Sequence, residues 1–120
     1  MSEQYAPSPK LRQLLRGVPE PTIRACAEFQ ATGNQAAFDR AVSGVIEHHL
    51  TTPSPQPVAS LPGTTALVAD LQLDSLTMAE MAFLFDDIFG TKLPHEGLLK
   101  VVTLDDLRAL LHAEIAKRPA

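Results

Sequence analysis

The sequence predicts an all-α fold: a bundle of three long helices and one short helix, preceded by two extra N-terminal helices. Three observations carry this expectation. Apolar residues recur at i, i+3, i+4 and i+7 in several windows, the spacing of a helix with one buried face. Helix-start and helix-stop residues bracket those windows. No run of β-branched residues alternates long enough to read as a strand.

The elements follow in chain order. Ser8-Pro9 supplies an N-cap and then a proline at the first helical position; Leu11, Leu14 and Leu15 share a face, and Gly17 is expected to close this helix. Pro19 and Pro21 precede a second pattern, with Ile23, Cys26 and Ala27 on one side, that ends near Gly33. Asn34 is a capping residue for a third helix carrying Phe38, Ala41, Val42, Val45, Ile46 and Leu50. Residues 51–63 contain Pro53, Pro55, Pro57 and Pro62, which remove backbone donors and disfavour helix in the preceding residue. An extended loop is expected there, anchored by Leu61, Leu67, Val68, Leu71 and Leu73. A helix then starts near Ser75 and stops at Gly90, with Met78, Met81, Phe85 and Ile88 inward and Leu76, Glu80, Phe83 and Asp87 on another side. Leu93-Pro94 leads to a short helix near His95 to Leu99. Thr103 with Asp106 forms a capping-box start for the last helix, whose buried stripe is Leu104, Leu107, Leu110, Leu111 and Ile115.

Composition narrows the functional classes. No run approaches the ~20 apolar residues of a membrane span, and the N-terminus shows no basic segment followed by an apolar stretch. A cytoplasmic protein is expected. The lone Cys26 forms no intrachain disulfide and lacks the companions of a zinc site, so no metal is expected. The net charge is −4, and Asp70, Asp74, Glu80, Asp86 and Asp87 occupy a stretch without lysine or arginine. Such a surface repels phosphate backbones, which argues against nucleic acid, and favours basic protein partners. It also fits a merely solvated helix face.

The residues that bear on chemistry are Leu71-Gln72-Leu73-Asp74-Ser75-Leu76, a leucine-rich loop turning into a helix. Aspartate and serine are both favoured N-caps, so Asp74 and Ser75 can be read as capping alone. Thr77 with Glu80 offers a rival capping box. A nucleophilic serine would want glycines on either side at a strand-to-helix elbow, and Leu73-Asp74-Ser75-Leu76-Thr77 has none. A base for it must come from His48, His49, His95 or His112, and helical positions place three of these toward solvent. His48 and His49 are adjacent on a helix and point apart, so they are not a metal pair.

Asp74-Ser75-Leu76, the acidic pair Asp86-Asp87 before Ile88-Phe89-Gly90, then Leu93-Pro94 and the Thr103-Leu104 helix start together resemble the acyl carrier protein family over Asn34 to Lys117. The resemblance implies a carrier domain over 34–120 with an N-terminal helical extension over 1–33. It implies that Ser75 carries a covalent 4′-phosphopantetheine arm, with Asp74 beside it to accept a hydrogen bond or to help hold the transferase's magnesium ion. A carrier does no catalysis. Its partners would be a phosphopantetheinyl transferase (holo-carrier synthase) and acyl-loading, ketosynthase or acyltransferase enzymes with basic docking patches. Leu76, Glu80, Phe83, Asp86 and Asp87 are the expected recognition residues. Val42, Ile46, Met78, Met81, Phe85, Leu93, Leu98 and Leu107 are the expected walls of an acyl pocket.

The Gly-Gly-x-Ser pattern usual in peptide-synthetase carriers is absent before Ser75, where Leu73-Asp74 stands instead, which favours fatty-acid or polyketide cargo, and the missing enzymatic domain favours a free-standing monomer. D-Alanyl carriers also use Asp-Ser, so an aminoacyl cargo stays open, as does an unmodified interaction module. Thr77 and His95 depart from the acidic pattern of fatty-acid carriers and point toward specialised partners. The extension either packs on the bundle or docks a partner, and Phe83 is either a recognition residue or is covered by that extension.

Overall fold

The computed structural model describes residues 5–52, 54 and 56–117. Six α-helices follow one another: α1 (Pro9–Leu14), α2 (Glu20–Thr32), α3 (Gln35–His49), α4 (Ser75–Phe89), α5 (His95–Leu99) and α6 (Leu104–Lys117), with a 3-10 turn at Val58–Ser60. The fold is all-α, and the described residues form no strand beyond one isolated bridge between Ala66 and Thr103. Several starts have a local cause. Ser8 Oγ accepts from Leu11 N at 3.1 Å, and Asn34 Oδ1 accepts from Ala37 N at 3.0 Å. α2 and α4 stop at Gly33 and Gly90, which take φ of 70° and 69°, the left-handed geometry that an L side chain resists. α1 ends earlier than expected: Leu15 is its C-cap, and Gly17 lies beyond it in the following turn.

The boundary expected at 33/34 does not divide two cores. Leu11, Leu15, Ile23, Cys26 and Phe29 belong to the same buried cluster as Phe38, Val42, Ile46, Phe85, Phe89, Leu107 and Leu111. α2 lies along α3 and also reaches α4. The α2–α3 approach is closest at Gly44, where a Cβ would collide with the Thr22 side chain. Of the two readings of the N-terminal segment, packing on the bundle is the one observed. Three rings fix it: Phe29 meets Phe89 edge-on at 5.1 Å and Phe38 at 5.7 Å. Gln30 Nε2 adds a hydrogen bond to the Ile88 carbonyl at 2.9 Å. The Arg12–Glu20–Arg24 ion pairs outside are exposed and add little. Cys26 is fully buried, and burial pushes its thiol up to about 12.

The link from α3 to α4 is a pinned loop. Pro53 and Pro55 lie outside the described residues. Val58, which the apolar periodicity does not single out, is fully buried, and its N–H donates to Glu47 Oε1 at 2.8 Å. Leu67, Leu71 and Leu73 are buried and Leu61 is half-buried, as expected of anchors. Val68 is not an anchor: it is 62% exposed. Residues 67–71 form a turn, with Asp70 N donating to Ala66 O and Gln72 N to Val68 O, both at 3.0 Å, and Val68 lies on its outer side. The turn is tied to the start of α6, where Leu67 N donates to Val102 O at 2.8 Å and Leu104 N to Thr65 O at 3.0 Å. Asp105 N donates to Gly63 O at 3.0 Å, with the Asp105 carboxylate filling the space a Cβ at 63 would need. α6 opens with the expected capping box, Asp106 N to Thr103 Oγ1 and Thr103 N to Asp106 Oδ2, both at 3.1 Å.

Candidate functional site

The approach to α4 is set by two buried leucines. Leu71 and Leu73 both point inward, and Gln72 between them takes φ of 60°, the one positive φ outside glycine among the described residues. Asp74 then sits at the N-cap in extended geometry (φ −94°, ψ 174°), and its Oδ1 accepts from Thr77 N at 2.7 Å. The Thr77 backbone N–H, helped by the Thr77 hydroxyl, holds the Asp74 carboxyl below the usual carboxylate range. The cap therefore belongs to Asp74, not to Ser75 and not to a Thr77–Glu80 box.

Ser75 is the first residue of α4 and is exposed. Among the described residues its hydroxyl has no hydrogen-bond partner. It stands over backbone N–H groups at the positive end of a helix, a setting that tolerates an added anion. No histidine among the described residues hydrogen-bonds to it. His48 and His95 are exposed on α3 and α5, His49 Nδ1 donates to Val45 O at 2.8 Å, and the His112 ring lies 4.2 Å from that of Phe38. No group of three or more His, Cys, Asp or Glu among the described residues could hold a metal ion.

Downstream of Ser75, α4 presents an apolar stripe to solvent. Leu76 is 68% and Phe83 72% exposed, with Glu80 and Asp87 exposed beside them. Among the described residues Phe83 is thus not covered by the N-terminal segment. Asp86 does not join this stripe. It is half-buried, and its Oδ1 accepts from Thr91 Oγ1 at 2.8 Å and from Leu93 N at 2.9 Å, fastening the chain that folds back after Gly90. Val68, Leu99 and Val102 are exposed large apolar residues as well, which sequence reasoning missed; Val68 sits in the turn at residues 67–71, where no helical period applies.

The residues expected to wall a pocket come together in the core. Val42, Ile46, Met81, Phe85 and Leu107 are buried in one cluster, and Met78 and Leu93 pack against it half-buried. Leu98 is half-buried on α5, outside that cluster. Three surface grooves among the described residues share Arg40; Pro19 and residues of α2, α3, α6 and the 51–63 loop line these three. No helix among the described residues is long and apolar enough to cross a membrane. Comparison of the chain with protein-family models, with curated proteins and with solved structures gave no match.

Proposed function

We propose that this chain is an acyl carrier, modified on Ser75 by a phosphopantetheinyl transferase and presenting acyl groups to biosynthetic enzymes. The observation that carries the proposal is the division of labour at the start of α4. Asp74 makes the capping hydrogen bond, and the neighbouring Ser75 hydroxyl is left exposed and unbonded at the first helical position. A hydroxyl that must accept a bulky group from coenzyme A has to be reachable, and a hydroxyl engaged in capping is not.

The residues fit the phosphopantetheine group. In the transfer the Ser75 oxygen would form a bond to phosphorus, the coenzyme A diphosphate would break, and 3′,5′-ADP would leave, with the hydroxyl proton passing to a base on the transferase. Exposed Asp74, kept ionised by its hydrogen bonds, is available to that enzyme's magnesium ion. The group would supply a terminal thiol that forms thioesters. Leu76 and Phe83, edged by Glu80 and Asp87, suit a partner whose basic rim sets the encounter and whose apolar pocket sets the residence time.

The same stripe favours a second reading, an interaction module that never receives an arm. Incubation with transferase and coenzyme A, followed by intact mass, separates the two. The carrier gains the mass of one phosphopantetheine on Ser75, and an unchanged mass leaves the module. An aminoacyl cargo would show when the loaded protein is isolated from its host and weighed.

A further inference from the structure

The interior side of α4 changes character along its length. Counting away from Ser75, it presents Met78 and Met81, then Phe85, then Phe89. Met78 is half-buried and Met81 fully buried, and unbranched thioethers re-pack readily. The next layer is built of aromatic rings in mutual contact. Phe85 stacks on Phe89 with ring centres 5.9 Å apart and planes 11° from parallel. Phe89 is met by Phe38 at 5.4 Å and, edge-on, by Phe29 at 5.1 Å. Phe29 comes from α2, and the adjacent Gln30 fastens the same turn to the end of α4 through the Ile88 carbonyl.

We infer that Phe29, held by α2 against the far end of α4, sets how deep an acyl chain can enter the bundle from Ser75, so that the cargo is short to medium in length. The inference rests on the carrier reading. By the helical rise, Phe85 lies about 15 Å along α4 from Ser75. A chain entering from the Ser75 end displaces the methionines first, within the first two turns. It then reaches stacked rings that it can pass only by separating Phe85 from Phe89. Phe89 has nowhere to go, because Phe29 and Phe38 close on it in an interior packed like an organic crystal. Without α2 one of those two rings is gone. The N-terminal segment thereby acts on cargo length as well as on stability.

The test uses the full chain. A transferase that accepts acyl-coenzyme A loads a series from butyryl to palmitoyl, intact mass reports each loading, and the melting temperature is read against the unacylated holo form. The melting temperature of the wild type rises with chain length and levels off at medium chains. In Phe29→Ala, or in Phe29→Leu should the alanine variant not fold, the levelling moves at least one step up the series. Each variant is referred to its own holo form, so its lower baseline cancels. A rise that continues to palmitoyl in the wild type, no rise at any length, or an unmoved plateau in the variants overturns the inference, while the mass gain on Ser75 keeps the carrier reading. No mass gain with any member of the series overturns the carrier reading and this inference together.

Discussion

Replacing Ser75 by alanine separates attachment from capping. If Ser75 capped α4, its loss would cost about 0.5–2 kcal/mol. The cap lies one residue earlier, in the 2.7 Å hydrogen bond from Thr77 N to Asp74 Oδ1, and Ser75 is exposed. An exposed substitution away from any cap stays within about 0.5 kcal/mol, and alanine is the better helix former. In a domain of this size that limit is a shift of about 2–3 °C in melting temperature. Urea unfolding and intact mass after incubation with transferase and coenzyme A should be run on Ser75→Ala and Asp74→Ala side by side. Ser75→Ala should unfold at the wild-type midpoint and gain no mass, whereas Asp74→Ala should unfold at a lower midpoint. A Ser75→Ala protein that still gains the arm refutes the attachment site. One that loses about 1 kcal/mol or more refutes the assignment of the cap.

Three further outcomes are expected. Phe83→Ala should leave stability within about 0.5 kcal/mol, because the ring is 72% exposed, and should slow turnover by the acyl-transferring partner; a loss of about 3–5 kcal/mol in urea would show the ring to be core. Asp74 has its folded pKa lowered by the Thr77 N–H, so its stabilisation is present above the unfolded value of about 3.9 and is lost as pH falls through the folded value. The acid limb of the stability profile should therefore flatten in Asp74→Asn, and an acid titration of the two proteins that superimposes would contradict this. Cys26, fully buried with its thiol pushed up to about 12, should react with iodoacetamide only on unfolding; labelling at neutral pH without denaturant would contradict its burial.

Much of the fold was legible because its helices are punctuated by residues that act locally. Asn34 caps α3 and Gly90 stops α4 through hydrogen bonds and dihedrals fixed within a few residues. The inward positions Met81, Phe85 and Ile88 likewise follow from a period that one helix carries alone. What stayed illegible depends on partners far along the chain. Val68 reads as one more apolar anchor until the chain turns at residues 67–71, tied by Leu67 N to the distant Val102 O, and leaves it outside. Val58 reads as a residue among prolines until Glu47 receives its N–H. Asp86 reads as half of an acidic recognition pair until the return at Gly90 brings Thr91 and Leu93 within reach of its carboxylate.

The candidate site shows the same limit at the scale of two residues. Asp74 and Ser75 are each good N-caps, and composition cannot rank neighbours with one preference. The backbone can, because only one residue in a row can hold the extended N-cap geometry while the next is already helical. Leu73 must be buried, and Gln72 takes a left-handed φ between it and Leu71, so the extended position falls on Asp74. Its carboxylate then reaches Thr77 N, and the serine that follows is turned into the first helical position with its hydroxyl facing solvent. The leucines that look like ordinary loop anchors therefore help to decide which of the two polar residues caps and which is left exposed.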